Sequence, residues 1–234
     1  MLNILGKTEY ISEYIRIWAG KNVILYLRQL RSFYKNMLEQ PMPTKTNNAL
    51  PKKLRPWKLL SSQERFSAPP WVKIHVDKVK LPSGRIVADY YRIQLPEYVM
   101  IYAQRDADNK ILLERQYKHA LGSISLTLPT GCLEEWETPI EAGKRELLEE
   151  TGYSAREWRS IGSFLVDGNK GCGRAHFFIA RGLEKIADQD KDDMEETEIV
   201  FIEPDVLIKA VLRGEIPFLA TAALIAIAGH QKLL

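Results

Sequence analysis

Apolar positions recur along this chain with two different periods. Across residues 10–39, Val23, Leu27, Leu30, Tyr34, Met37 and Leu38 return every three or four positions, which predicts a helix with one apolar stripe. Gly20 separates it from a shorter helical piece carrying Ile11, Tyr14, Ile15 and Trp18, and the opposite face holds Arg28, Arg31 and Lys35. Residues 40–57 interrupt the pattern with Pro41, Pro43, Pro51 and Pro56 among Thr, Asn and Lys, a linker composition. Beyond it the period falls to two. Val72, Ile74 and Val76 alternate with Lys73, His75 and Asp77, a turn follows at Leu81–Gly84, and Ile86–Ile93 returns as a second strand. Val99–Ala103 and Ile111–Tyr117 flank another turn at Asp106–Asn109. Further strands are expected at Ser160–Val166, Ala175–Ala180 and Glu198–Ile202, and helices at 138–151, 204–213 and 217–232. Strands and helices alternating without a regular rhythm predict an α/β (α+β) layered domain.

Composition narrows the class. With 45% hydrophobic and 27% charged residues the chain has a globular balance, which excludes a disordered or fibrous protein. The net charge of +3 conceals a division: residues 1–60 hold 11 Lys and Arg against 3 Asp and Glu, while the remaining residues hold 22 against 27. The basic helical head has two open readings, a helix packed on the body or on a second subunit, or one lying on an anionic surface. It lacks interleaved aromatic and basic residues, so no nucleic-acid partner is expected. Cys132 and Cys172 make neither a disulfide framework nor a zinc motif, and no run nears the ~18 apolar residues of a membrane span. A soluble, cytoplasmic protein without a transmembrane segment is expected.

The segment most informative about chemistry is Gly131–Tyr153, GCLEEWETPIEAGKRELLEETGY. Its helix is delimited by local rules: Thr138 caps it, Pro139 suits the first turn, Glu141 completes a capping box, and Gly152 ends it. Between them Glu146, Glu149 and Glu150 stand at i, i+3 and i+4, which puts three carboxylates on one face. Such a face is either a solvated acidic surface or a seat for a hard cation, Mg²⁺ or Mn²⁺, that bridges to phosphates. Arg145 pairs with Glu149 at i+4.

The same residues resemble the Nudix signature GX5EX7REUXEEXGU. Gly131, Glu137, Arg145, Glu146, Leu147, Glu149, Glu150, Gly152 and Tyr153 each fall at the required spacing. The closer resemblance is to the ADP-ribose pyrophosphatase branch of the Nudix hydrolases, carried by Arg115-Gln116-Tyr117-Lys118, Leu128-Pro129-Thr130-Gly131 and the helix around Phe218–Ala223. Two departures stand out. Lys118 replaces the usual arginine, so a phosphate contact there is a point charge rather than a fork. The loop Val166–Gly171 lacks the proline associated with ADP-ribose specificity.

The resemblance implies a Nudix-type α/β/α sandwich with a mixed sheet. Residues 1–56 would be the helical extension and linker, and 57–234 the Nudix hydrolase domain, divided into an antiparallel strand region at 57–95 and a catalytic core at 96–234. It implies metal-dependent hydrolysis of ADP-ribose or another ADP-sugar to AMP and a sugar phosphate, with another nucleotide sugar or NADH as alternative substrates. A module that binds nucleotides or an anionic surface without hydrolysis is the alternative of a different kind. The implied metal ligands are Glu146, Glu149, Glu150 and the carbonyl of Thr130. Arg145 orients carboxylates, Glu137 supports the loop, and a general base is expected in the late acidic segment 188–198, at Glu196. Arg115 and Lys118 are the implied phosphate contacts, with Arg92 as a further candidate. A homodimer is implied, in which Trp71 stacks on the base across subunits or instead packs in the core.

Overall fold

The run Tyr98–Gln104 is apolar at almost every position, too continuous for a strand with one wet face. The computed structural model, which describes residues 54–189 and 196–230, explains it. This strand, β4, is buried on both sides. The chain divides into two units at Arg55/Pro56. The helices expected over 10–39, nearly all of the proline-rich linker and the last two residues of the expected 217–232 helix lie outside the described residues.

Three strands precede β4: β1 (Lys58–Ala68), β2 (Val72–Lys80) and β3 (Ile86–Gln94). After β4 come β5 (Ile111–Lys118), β6 (Ser123–Thr127), β7 (Thr130–Cys132), helix α1 (Pro139–Thr151), β8 (Tyr153–Asp167) and β9 (Gly171–Lys185). Strand β10 (Thr197–Ile202) and helices α2 (Pro204–Leu212) and α3 (Leu219–His230) follow. Among the described residues these strands form one mixed sheet in the order β1-β2-β3-β9-β4-β5-β10, with β6 beside β5, β7 beside β4 and β8 beside β9.

Alternation along β4 sorts its side chains into two cores. Val99, Ile101 and Ala103 meet Ala142 and Leu147 of α1, together with Leu112, Phe178 and Ala180. Met100 and Tyr102 turn the other way and pack with Ile111, Leu113, Phe177, Leu207 of α2 and Leu224 of α3. The result is the expected α/β/α sandwich.

Strands β1–β3 are antiparallel, and β3 meets β9 through a single parallel pair, Ile93 with Gly171. Two contacts support that seam: the Ile93 N–H donates to Lys170 O at 2.8 Å, and the Tyr90 hydroxyl donates to Asn169 O.

Strand periodicity missed β1, β6 and β7 and shortened β8 and β9. Strand β1 is exposed along nearly its whole length, so no alternation is imposed on it. In β8 the register slips between Ser160 and Gly162, whose φ is 140°, and that irregularity breaks the period-two pattern.

Candidate active site

Helix α1 is set by its ends. The Glu141 carboxylate accepts from the Thr138 N–H at 2.7 Å and from its hydroxyl at 2.6 Å. At the other end Gly152 adopts φ 71° and its N–H reaches Leu148 O at 2.7 Å. A Cβ there would lie 2.1 Å from Ala187 O, so only glycine closes this helix. Ala142 and Leu147 anchor one side in the core, which commits Glu146, Glu149 and Glu150 to another.

Arg145 organises that second face. Its guanidinium donates to both oxygens of Glu137 at 2.8 and 3.2 Å, to Glu146 at 2.9 Å, to Glu149 at 3.0 Å and to Cys132 O at 3.1 Å. Glu137 also accepts the Glu134 N–H at 2.7 Å, tying the loop 133–138 to the helix. The Arg145 hydrogen bonds hold the Glu137 carboxyl below its ordinary range, and that partnership raises the guanidinium in turn.

Strand β7 runs beside this face. The Thr130 N–H donates to Glu150 Oε2 at 3.0 Å, and the Glu146 carboxyl lies where a Cβ on Gly131 would be, 1.9 Å from its Cδ. Gly131 is thus a close-approach glycine: any side chain would expel Glu146 from β7. Burial pushes the Glu146 carboxyl above its usual value. Glu150 is pushed up further, by burial first and then by the charges of Glu114 and Glu146. Glu114 lies on β5 and is 1% exposed. Sequence reading missed it. The available signal was a carboxylate directly after the apolar run Ile111–Leu113 on a strand predicted to enter the core.

These groups fit a hard divalent cation in chemistry. Their donors are all oxygen, and Gly131 leaves the space that brings Glu146 onto the β7 backbone. Among the described residues no three acidic, imidazole or thiol groups already converge on one point. Arg145 and the Thr130 amide hold the carboxylates in their present positions.

A cavity of about 610 Å³ opens over the C-terminal half of β5 and the start of β10. Arg115, Gln116, Tyr117, His119, Ile124, Glu196, Thr197 and Glu198 line it. That volume accommodates a nucleotide-sized ligand. Arg115 is held by Glu198 at 2.8 Å, its partner in register across β5 and β10. Gln116 bridges inward: it donates to Glu114 at 3.3 Å and accepts from the Thr197 hydroxyl at 3.2 Å.

Comparison with known proteins agrees with this arrangement. The NUDIX domain matches residues 95–221, more than half of the chain. The chain belongs to the Nudix family. Residues 57–93 match the nucleoside diphosphate sugar hydrolase N-terminal domain. The methanol dehydrogenase activator of Bacillus methanolicus is 33% identical over 114 residues, which span 49% of this chain and 60% of that relative. The ADP-ribose pyrophosphatase of Bacillus subtilis (strain 168) is 29% identical over 143 residues, 61% of this chain and 75% of its own length. A solved ADP compounds hydrolase superposes with a TM-score of 0.66 at 16% identity, covering 76% of this chain and 94% of its own, which speaks to the fold. The resemblance read from the signature therefore holds: this is a Nudix protein related to the ADP-ribose pyrophosphatases.

Within the Nudix fold the expected site residues fall in four places. Thr130, Arg145, Glu146, Glu149 and Glu150 are together on α1 and β7, while Arg115 and Glu196 are together in the cavity. Lys118 ends β5, outside the cavity lining. Trp71 and Arg92 lie on the N-terminal strands: Trp71, 69% exposed, follows β1, and Arg92 of β3 pairs with Asp77 at 3.1 Å. Among the described residues no helix is long and apolar enough to cross a membrane.

Proposed function

We propose that this Nudix protein hydrolyses the diphosphate of ADP-ribose or a related ADP-sugar, giving AMP and a sugar phosphate. The observation that carries the reading is the presence of two features in one domain, the carboxylate face of α1 organised by Arg145 and the Arg115–Glu196 cavity. Similarity to a protein named ADP-ribose pyrophosphatase supports the choice of substrate, as does the nucleoside diphosphate sugar hydrolase N-terminal match.

In this reading Glu146, Glu149, Glu150 and the Thr130 carbonyl hold Mg²⁺ or Mn²⁺. Such an ion neutralises diphosphate charge and makes water more acidic. Arg145 keeps Glu137 as its partner and steadies the ligands. Arg115 leaves Glu198 for a phosphate oxygen, a charge-assisted exchange. Glu196 accepts the proton of the attacking water. The water oxygen joins one phosphorus, and the bridging oxygen departs with the other phosphate. The domain division at 57 and 96 becomes functional here, with residues 57–95 completing substrate recognition and 96–234 carrying the chemistry. The reading includes a cytoplasmic homodimer. Exposed Leu59, Leu60, Phe66 and Trp71 on the N-terminal strands support a second subunit there, and both cysteines are free.

The test is release of the monophosphate from ADP-ribose, other nucleotide sugars and NADH with Mg²⁺ or Mn²⁺. ADP-ribose is expected to turn over fastest, and Glu196→Gln to lose on the order of 100-fold in kcat. No cleavage of any nucleoside diphosphate derivative overturns the reading, and near-normal kcat in Glu196→Gln removes that residue as the base.

A further inference from the structure

The arginines of β8 differ in how they are held. Arg156 is engaged: its guanidinium donates to Asp106 Oδ2 at 2.6 Å and lies 3.9 Å from Glu184. Arg159 on the same strand and Arg181 of β9 have no hydrogen bond or ion pair among the described residues. Register makes this unexpected. Arg181 stands directly opposite Glu157, where opposite charges usually pair across strands, yet no ion pair joins them. Arg159 stands opposite Ile179, so Arg181 is its diagonal neighbour on the same face. Ile179 packs in the core with Leu207 of α2 and Leu224 of α3, which puts both arginines on the side of the sheet away from α1. Glu157, Trp158, Arg159, Ile179 and Arg181 line one cavity of about 170 Å³. Two guanidinium groups that share a cavity without a paired counter-charge repel each other, and an anion between them turns that repulsion into attraction.

We propose that this cavity binds a small sugar phosphate, its phosphate between Arg159 and Arg181 and its hydroxyls donating to Glu157. Arginine forks match phosphate oxygens two at a time. The Glu157 carboxylate accepts hydrogen bonds and repels a second negative group, which selects a ligand with one phosphate and several hydroxyls. Ile179, 7% exposed, gives the carbon skeleton an apolar floor. The volume sets an upper limit: it falls below the roughly 300–1,000 Å³ of cavities that enclose drug-sized ligands, so a whole nucleotide sugar does not fit. The cavity is also remote from the carboxylates of α1. Val99 of β4 pairs with Gly131 on one side and His176 of β9 on the other, whereas Arg181 pairs with Gln104 at the far end of β4. Those two positions on β9 are about 16 Å apart along the strand. The proposal therefore stands independently of the reading of α1.

The experiment measures binding of ribose 5-phosphate to the full chain by calorimetry at low ionic strength, where charge pairing is least screened. The wild type is expected to bind it more tightly than inorganic phosphate, and to show no binding of ribose. Arg159→Gln and Arg181→Gln are each expected to weaken binding about 10- to 100-fold, the effect of removing one charged hydrogen-bonding partner. Arg181→Lys keeps the charge but loses the fork, and its affinity should fall between. Glu157→Gln should narrow the difference between ribose 5-phosphate and inorganic phosphate. The arginine variants are expected to melt with the wild type and to keep its kcat/KM for ADP-ribose, because neither side chain ties the fold together or lies near α1. No binding by the wild type overturns the proposal, as does wild-type affinity in both arginine variants or equal affinity for ribose 5-phosphate and inorganic phosphate. Arg115→Gln is the control for the larger cavity. If it abolishes binding while Arg159→Gln and Arg181→Gln leave it intact, the sugar phosphate sits in the proposed substrate site and this assignment falls. Absence of ADP-ribose turnover in the wild type would instead sink the catalytic reading and leave this one standing.

Discussion

The central sandwich and the N-terminal strands use the same kind of element to opposite ends. Strand β4 is almost wholly buried, with α1 on one side and α2 and α3 on the other. Strand β1 is exposed nearly throughout, and β1–β3 meet the sandwich at one backbone pair and a short seam of hydrogen bonds. The sandwich therefore contains what is needed to hold carboxylates at fixed separations. The N-terminal strands display Leu59, Phe66 and Trp71 to the outside, a surface that contributes once something covers it. In the proposed reading the rigid sandwich carries bond cleavage, and the open apolar surface serves recognition or assembly.

The most direct way to break this division is Glu150→Gln. AMP release from ADP-ribose is expected to fall at least on the order of 100-fold, beyond the usual loss of a supporting group, with the melting transition retained. Activity within a few-fold of wild type would move the chemistry away from α1.

Gly131→Ala tests the rigidity of the sandwich from the strand side. The added methyl would lie 1.9 Å from Glu146 Cδ, so the carboxyl must leave its place. Mn²⁺ affinity is expected to drop roughly 10- to 100-fold, with a stability loss of about 1–3 kcal/mol from overpacking. Unchanged Mn²⁺ binding by calorimetry would mean that the Glu146–β7 approach has no part in holding the ion.

Trp71→Ala probes the other region. Loss of one base-stacking contact, about 1–3 kcal/mol, should raise the KM for ADP-ribose about tenfold while kcat holds. A drop in kcat at constant KM would instead assign the N-terminal strands to the chemistry.

Glu137→Gln should have the smallest effect, a fall of a few degrees in melting temperature at neutral pH. Arg145 holds the Glu137 carboxyl below its ordinary value. Its stabilising contribution is therefore fully present above the unfolded value of about 4.3 and is lost as pH falls through the folded one. The gap between wild type and variant should close as pH is lowered from about 6 to about 3; a gap independent of pH would show that the ion pair is not its source.

Legibility from sequence followed the range of the forces involved. Helix α1 was readable to within a residue because Thr138, Pro139, Glu141 and Gly152 act on their immediate neighbours. The carboxylate spacing was readable for the same reason, since 3.6 residues per turn is a local property. Strand β1 was not, because no buried face imposes a period on it. Strand β7 has three residues, too few to carry one. The signature glycine shows both sides. Its position was evident from spacing, but its physical need, room for the Glu146 carboxyl, exists only once β7 lies along α1.

The sequence by itself determined the ends of α1, the three-carboxylate face and the kinship to the Nudix hydrolases, because each depends on residues a few positions apart. Tertiary structure alone decided that the Thr130 N–H meets Glu150 across 20 positions, and that Arg115 faces Glu198 across 83 positions. Those pairings arise when β7 is laid beside β4 under α1 and β10 beside β5. A strand position reads the same in sequence whether it points to water or to a carboxylate, and only packing gives it a neighbour.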